Sequence, residues 1–346
     1  MEGNFEHART PQGPEQSWER KLRKAKEYMY KKIGPGLNFA ARQDGEWRRA
    51  SYGEIDEERG ETNPDILYDI ASMTKLVTAL QILERASARG LSLDDRAGEY
   101  LEFLTDSPLR IGDLLAHRGS QVLVREKYQP GTAYLRSDLR RIFENGTNLR
   151  VERPADYNYG DLGYMQLGMI LERTQAESLD KQTADFVARY GLGEIMYNPI
   201  AKGVEMDTVA RSERANLPGE VQDEKAKWYG GVSGHAGLFA SQRALETLVE
   251  RLFAREFALS EELYARLYTP RFAPSPHTGM SFSIAGIRRG LYSSYPNISG
   301  FGGSSMFLDP HKQTAIVHTC NITYPERGRT RQKFRDWNKS VGTLLA

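Results

Sequence analysis

The sequence predicts an α+β fold, in which an antiparallel sheet flanked by helices is interrupted by an inserted, mostly helical domain. Strand-like runs occur near the start of the chain and again in its last third, and a helix follows each group. Between them, residues 111 to about 228 show helical patterns separated by loops rich in Gly, Asn and Pro. One sheet built from both ends of the chain explains this order. We therefore expect a discontinuous sheet domain, residues 1–110 and 231–346, and a helical domain, residues 111–230.

The first elements are a helix and a hairpin. A charged amphipathic run over residues 18–32 precedes Gly34-Pro35-Gly36 and predicts a helix that docks on the rest of the fold. Short strand-like runs at 37–42 and 47–52 flank Asp44-Gly45, a pair that is typical of tight hairpin turns. The antiparallel sheet is predicted to begin here.

A longer helix is predicted over residues 72–89. Leu76, Leu80 and Leu83 recur at helical spacing, and Gly90 supplies the stop signal. In the last third, residues 304–308 and 313–319 are predicted strands joined by a turn, and residues 331–345 a final helix.

Charge and hydropathy exclude several functions. The 346 residues include 47 basic and 46 acidic side chains, a net charge of +1, so nucleic acid is not an expected partner. No run of about 18 apolar residues occurs, and the polar N-terminus carries no signal-peptide pattern. We expect no membrane span and a cytoplasmic location; the oligomeric state is left open.

Cysteine, histidine and glycine patterns predict neither a metal nor another cofactor. The single cysteine, Cys320, lies in a strand-like run and is predicted to be a small buried filler. The histidines have no metal-ligand spacing, and no glycine-rich nucleotide loop is present. The histidines are His7, His117, His235, His277, His311 and His318.

Ser72-Met73-Thr74-Lys75 is the first candidate for catalysis. Three residues apart on a helix, Ser72 and Lys75 share one face, and the helix N-terminus stabilises negative charge near Ser72. If Lys75 is enclosed, desolvation lowers its pKa by up to ~3–5 units and makes it a base for the hydroxyl. The alternative is that Ser72 only caps the helix. Ser178 and Lys181 have the same spacing, which we attribute to chance.

Several segments resemble, in order, the signatures of the serine β-lactamase-like superfamily, in its class C and penicillin-binding-protein-related esterase branch. The similarity extends from about Pro35 to Pro325 and implies a β-lactamase/transpeptidase-like fold. The segments are Asp-Ile-Ala-Ser-Met-Thr-Lys at 69–75, Leu-Ser-Leu-Asp-Asp at 91–95, Tyr-Leu at 100–101, Ile-Gly-Asp-Leu-Leu-Ala-His at 111–117, Tyr-Gly-Asp-Leu-Gly-Tyr at 159–164, Gln-Leu-Gly at 166–168 and Gly-Gly-Val-Ser-Gly-His-Ala-Gly-Leu-Phe at 230–239.

The resemblance assigns roles to three residues. Ser72 is implied to be the acyl-accepting nucleophile, Lys75 its activator, and Tyr159 a second proton-transfer group beside the leaving atom. Asp161 stands where this branch more often has Asn. If Asp161 holds Lys75 by a charged contact, the lysine stays protonated and Tyr159 carries more of the base role.

The third family motif, Lys or His followed by Thr or Ser and then Gly, has two candidates. His277-Thr278-Gly279 matches literally but lies in a proline-rich loop, whereas Ile298-Ser299-Gly300-Phe301 precedes a strand and turn like those of the family. We favour the second candidate. There the Phe301 N–H would complete the oxyanion hole with the Ser72 N–H, as the resemblance implies.

Ile298 in that motif bears on substrate choice. The Lys or His that it replaces helps to bind substrate carboxylates, a contact worth about 1.5–3 kcal/mol. We therefore expect weak or absent β-lactam hydrolysis and an apolar wall suited to uncharged substrates.

The function predicted is a serine hydrolase, esterase-like and with acyl transfer also open, that acts on a small ester or amide through a Ser72 acyl-enzyme. The nearest alternative is a β-lactamase or D-amino-acid peptidase of the penicillin-recognising type. An alternative of another class is a catalytically weak binding protein on the same scaffold.

Overall fold

The computed structural model describes residues 14–118, 120–123, 149–152, 159–271, 281–290 and 293–345. Its strands are β1 (Gly36–Gln43), β2 (Glu46–Asp56), β3 (Arg59–Glu61), β4 (Tyr68–Asp69), β5 (Ser120–Leu123), β6 (Leu149–Glu152), β7 (Ile195–Tyr197), β8 (Leu238–Ala240), β9 (Ser281–Phe282), β10 (Arg288–Gly290), β11 (Ser293–Ser299), β12 (Gly303–Asp309) and β13 (Thr314–Asn321). Its α-helices are α1 (Pro14–Tyr30), α2 (Thr74–Ser87), α3 (Ile111–Leu115), α4 (Leu162–Gln175), α5 (Leu179–Arg189), α6 (Glu224–Trp228), α7 (Gln242–Ala254), α8 (Glu261–Arg266) and α9 (Arg331–Gly342).

The largest sheet is antiparallel and has eight strands in the order β3-β2-β1-β13-β12-β11-β10-β9. Strand β1 lies between β2, its hairpin partner, and β13, with Leu37 opposite Cys320. This pairing confirms the predicted α+β class and shows one sheet built from both parts of the chain. The division into two domains at residues 111 and 230 stays a prediction.

The first hairpin confirms the local turn prediction. Asp44 and Gly45 have φ values of 53° and 83°. Both values lie in the left-handed region, as the tight turns that match the twist of paired strands require.

Alternation along the central strands directs side chains into two hydrophobic clusters. Met306 and Leu308 of β12 lie in the larger cluster together with α2 and α4, whereas Phe307 lies in a second cluster with Tyr28 of α1 and Trp337 of α9. The sheet is therefore covered on both faces. Cys320 lies in the second cluster with 1% of its surface exposed, as predicted for a buried filler.

A smaller sheet, β4-β8-β7, leads directly to the candidate nucleophile. Strand β4 pairs with β8 and is followed by a 3₁₀ turn, Ala71–Met73, before α2 begins at Thr74. The predicted helix therefore exists, but Ser72 lies in this preceding turn. The region predicted as mostly helical also contains β5, β6 and β7.

Two further predictions concern other parts of the chain. None of the helices in the described ranges has the length and apolar character needed to cross a membrane. The alternative motif, His277-Thr278-Gly279, lies outside the described residues.

Candidate active site

The turn that carries Ser72 is fixed by hydrogen bonds on both sides. The Ile70 N–H donates to the Leu238 carbonyl of β8 at 3.0 Å, and the Ala71 N–H donates to Asp69 Oδ1 at 2.8 Å. Ala71 has a φ of 45°, an uncommon conformation for a residue with a side chain. These contacts hold the Ser72 side chain, which is half-buried, at the end of α2.

Lys75 lies at the centre of the polar cluster and has 2% of its surface exposed. Its Nζ is 2.9 Å from Ser72 Oγ, 3.0 Å from Asp161 Oδ1 and 3.3 Å from Tyr159 Oη. A fourth oxygen, the His235 carbonyl, accepts from Nζ at 3.2 Å. The sequence-predicted residues Ser72, Lys75, Tyr159 and Asp161 are thus brought together around one ammonium group.

The protonation state of Lys75 differs from the neutral state that a base would need. Burial alone would lower the pKa of Lys75, but Tyr159 and the Asp161 carboxylate outweigh it and raise that pKa above its ordinary value. Burial would also raise the pKa of Asp161, yet the charges of Lys75 and Lys225 hold it well below the usual range. Of the two possibilities considered from sequence, these contacts favour the protonated lysine held by Asp161, because the enclosed amine has a carboxylate partner.

Tyr159 reaches the cluster from outside the core. It is 42% exposed, and its ring lies against His117, with centroids 4.6 Å apart, and near Phe282, at 5.8 Å. Burial, followed by the charge of Lys75, lowers the pKa of His117 to about 3, so this imidazole is neutral at pH 7. His117 supports the Tyr159 ring as an uncharged aromatic surface.

The glycine-rich segment at 230–239 packs between α2 and α4. A Cβ at Gly234 would overlap the Tyr164 carbonyl oxygen, so only glycine fits there. The Gly234 carbonyl accepts a hydrogen bond from Thr78 Oγ1 of α2 at 2.9 Å. This close approach presents the neighbouring His235 carbonyl to Lys75.

The favoured third motif lies beside the Ser72 turn. A Cβ at Gly300 would overlap the Ile70 carbonyl oxygen and lie 3.4 Å from Ala71 Cβ. Phe301, which follows, is 41% exposed. Among the described residues, neither the Phe301 N–H nor the Ser72 N–H has a hydrogen-bond acceptor. Both N–H groups are available to a substrate oxygen.

Ile298 does not form the apolar wall expected from sequence. Its side chain is 5% exposed and belongs to the larger hydrophobic cluster, opposite Met306 of β12. A cation lies close to its neighbour instead: Arg288 of β10 donates from Nη2 to Ser299 Oγ at 2.7 Å and from Nε to Asn297 Oδ1 at 2.7 Å. Sequence reasoning missed Arg288 because it lies on a different strand from the motif.

A second group missed from sequence surrounds Asp161. Lys225 Nζ of α6 is 3.0 Å from Asp161 Oδ2, and Asp223 Oδ1 is 2.8 Å from His235 Nε2. Ligand-type atoms of Asp161, Asp223 and His235 lie within 4.8 Å of one another, a spacing that could hold a metal ion. Lys225 already contributes a positive charge there. The available signal was the carboxylate at 161, which calls for a compensating cation when buried.

The second Ser-x-x-Lys pair has a purely structural setting. Ser178 caps α5 by accepting from the Lys181 N–H. Lys181 is 60% exposed and pairs with Glu177 and Asp185. The interpretation of this spacing as accidental agrees with these contacts.

Comparisons with known proteins agree with one another. A family model described as Beta-lactamase matches residues 22–338. A putative D-alanyl-D-alanine carboxypeptidase of Escherichia coli (strain K12) is 27% identical over 299 residues, covering 74% of this chain and 69% of the relative.

Solved structures share the fold at lower identity. EstCE1, a hydrolase with promiscuous acyltransferase activity, superposes with a TM-score of 0.72 at 18% identity and covers 94% of this chain and 99% of its own. D-amino acid amidase from Ochrobactrum anthropi SV3 gives a TM-score of 0.74 at 16% identity, covering 95% and 98%.

Proposed function

Because this chain belongs to the Beta-lactamase family of serine hydrolases, we propose that it cleaves a small ester or amide through an acyl-enzyme on Ser72. The observation that carries the proposal is the Lys75 ammonium, which lies within 3.3 Å of both Ser72 Oγ and Tyr159 Oη. A nucleophile and a second proton carrier thus lie on either side of one charged neighbour.

The steps follow from these positions. Ser72 Oγ attacks the carbonyl carbon while its proton passes to the phenolate form of Tyr159, which the Lys75 ammonium stabilises together with the charge that develops on the serine oxygen. The Ser72 and Phe301 N–H groups would receive the substrate oxygen. Tyr159 then gives the proton to the leaving atom and is a phenolate again. Water, or an alcohol in a transfer reaction, attacks the acyl carbon and gives a proton to Tyr159, which passes it to Ser72 Oγ as the bond to the acyl group breaks.

Covalent labelling tests this proposal. We expect a fluorophosphonate or a short p-nitrophenyl ester to add one acyl or phosphonyl mass to the intact protein, located by peptide mapping at Ser72. Ser72→Ala should abolish the adduct. Ser178→Ala, at the other Ser-x-x-Lys pair, should keep it and lose only the cap of α5, about 1 kcal/mol of stability.

A folded wild-type protein that never forms the adduct would contradict the enzyme proposal. That result would favour the binding-protein alternative on the same scaffold.

A second candidate function, a penicillin-recognising D-amino-acid peptidase, is favoured by Arg288. Its guanidinium is held on Ser299 Oγ at 2.7 Å, beside the strand position where the family's third motif has its cation. A carboxylate at the end of a peptide or on a β-lactam could pair with it. The Escherichia coli relative carries a carboxypeptidase name, which supports the same candidate.

Fluorescent penicillin separates the two candidates. If the peptidase candidate holds, Arg288→Gln should slow penicillin acylation by about 10- to 100-fold, since a charge-assisted hydrogen bond is worth about 1.5–3 kcal/mol. Hydrolysis of p-nitrophenyl acetate, which has no carboxylate, should change little. Arg289→Gln on the same strand is the matched control. Failure of wild-type protein to react with penicillin, with ester hydrolysis intact, would leave the esterase candidate.

A further inference from the structure

Asp161 is a carboxylate shared by two ammonium groups. Its Oδ1 is 3.0 Å from Lys75 Nζ, and its Oδ2 is 3.0 Å from Lys225 Nζ. Only 24% of the Asp161 side chain is exposed, and 27% of the Lys225 side chain. Water therefore screens both contacts less than it would at the surface, so the attraction between Asp161 and each of the two ammonium groups is strengthened.

Lys225 is held in place by the start of α6. Asp223 caps this helix by accepting from the Ala226 N–H at 2.9 Å, and its Oδ2 lies 3.9 Å from Lys225 Nζ. The same Asp223 carboxylate contacts His235 Nε2 at 2.8 Å. The element that carries Lys225 is thus tied to the residue whose carbonyl accepts from Lys75.

These contacts form a closed ring of interactions that includes Lys75. From Lys75 the ring passes through Asp161, Lys225 and Asp223 to His235, and the His235 carbonyl returns to Lys75 Nζ at 3.2 Å. Its two lysines balance its two carboxylates. Removing Lys225 alone would leave this half-buried ring with one carboxylate more than it has ammonium groups, which is costly.

We propose that Lys225 is a positioning residue: it neutralises the outer oxygen of Asp161, so that a carboxylate can hold Lys75 against Ser72 and Tyr159. The inference rests on the proposed acyl-enzyme function and deepens it. The ion pairs of Lys225 described above are with Asp161 and Asp223, and the proposed role acts through Asp161. Lys225 is required because Asp161 is negatively charged. In an Asp161→Asn variant, whose side chain is neutral, Lys225 would no longer be required.

A charge-matched double-mutant cycle tests this. We expect Lys225→Gln to lower kcat/KM for a p-nitrophenyl ester by about 10- to 100-fold, and Lys225→Arg to restore most of it. In an Asp161→Asn background, Lys225→Gln should cost less than about threefold, because no carboxylate remains to be neutralised. A loss that is equal in both backgrounds would overturn the proposal.

The pH profile gives a readout that a purely structural role would not move. Loss of the Lys225 charge raises the pKa of Asp161, so any fall of kcat/KM on the acid side should begin at a higher pH in Lys225→Gln than in the wild type. No such movement is expected in the Asp161→Asn background. The titratable and charged groups that face Asp161 are Lys75, Tyr159, His117, Asp223, Lys225 and His235.

Lys227→Gln is the matched control, since Lys227 lies on the same helix and pairs with Glu220 at 2.6 Å. It should keep the wild-type rate and pH profile. Fluorophosphonate labelling separates the proposed acyl-enzyme function from the proposed role of Lys225. Absence of label in the wild type overturns the enzyme function itself. Labelled wild type together with a Lys225→Gln variant of unchanged rate and acid limb overturns only the role of Lys225.

Discussion

At the scale of single residues, Asp69 supports the unusual backbone before Ser72. Its Oδ1 accepts from the Ala71 N–H and its Oδ2 accepts from the Gln222 N–H at 2.7 Å, so both oxygens are used. Burial raises the pKa of Asp69 to about 6, although the two backbone donors oppose this shift. The carboxyl therefore holds its proton more tightly in the folded chain than in the unfolded one.

This shift predicts the sign of a pH effect on stability. A group with a raised native pKa stabilises the fold below its unfolded pKa and loses that contribution as the pH rises through about 6. From pH 4 to 7.5, the unfolding free energy of the wild type should fall relative to Asp69→Asn by about 2–3 kcal/mol. Urea denaturation at several pH values measures this difference.

The lost hydrogen bond of the Asn side chain adds an offset that does not depend on pH. Asp65→Asn, at an exposed pair with Arg243, is the control and should change by less than about 1 kcal/mol. A gap between wild type and Asp69→Asn that stays constant with pH would contradict the assignment.

The part of the candidate site formed by residues close in sequence was predicted from the sequence. Ser72 and Lys75 are three residues apart, so a helical turn by itself brings them together. The protonation of Lys75 was open at that stage because it depends on Asp161, 86 residues away, and on Lys225, which has no spacing pattern to either. Charge partners of this kind are set by tertiary packing.

At the scale of elements, the end of β11 must fit closely against the Ser72 turn. Gly300 allows this, because any side chain there would meet the Ile70 carbonyl. The fit places Phe301 and its N–H next to the nucleophile's turn. The position of β11, and not the Phe301 side chain, therefore decides whether the Phe301 N–H can act as an oxyanion donor.

Gly300→Ala should separate catalysis from folding. The added Cβ must push β11 away from Ile70, which moves the Phe301 N–H, and loss of one oxyanion donor costs about 10²–10³ in kcat. Gly60→Ala in β3, where a Cβ meets nothing within 4 Å, is the control and should be neutral. Steady-state kinetics and melting temperatures of both variants test this. A folded Gly300→Ala protein with wild-type kcat/KM would exclude this strand from the oxyanion site.

Elements and hairpins whose signals are local were predicted from sequence, whereas the register between strands from distant parts of the chain was not. The Asp44-Gly45 turn defines its hairpin because only the turn's own conformation is needed. The pairing of Leu37 with Cys320 joins residues from opposite ends of the chain, so its register depends on how both strands pack in the fold and not on a local turn. The position of Arg288 beside Ser299 has the same origin, since it requires the pairing of β10 with β11.

At the scale of the whole molecule, the sheet separates the candidate site from a second hydrophobic cluster. The candidate site adjoins the face that packs on α2 and α4, whereas α1 and α9 cover the other face. Trp337 of α9 is fully buried there; its ring lies 5.0 Å from that of Tyr28, and its Nε1 donates to the Lys24 carbonyl at 2.8 Å. This cluster contributes stability through residues that touch none of the proposed catalytic groups.

Trp337→Ala should therefore lower stability without changing the chemistry. Removal of a fully buried aromatic side chain costs about 3–5 kcal/mol. Trp337→Phe keeps most of the packing and loses only the indole hydrogen bond to the Lys24 carbonyl, which lies inside α1, a cost of about 0.5–1.5 kcal/mol. Urea denaturation should give the highest unfolding free energy for the wild type, a lower one for Trp337→Phe and the lowest for Trp337→Ala. Measured at a temperature where each is folded, kcat/KM should agree within about twofold, because distant, independent sites are additive. A folded Trp337→Phe protein with a much lower kcat/KM would show that the second cluster is coupled through the sheet to the Ser72 turn.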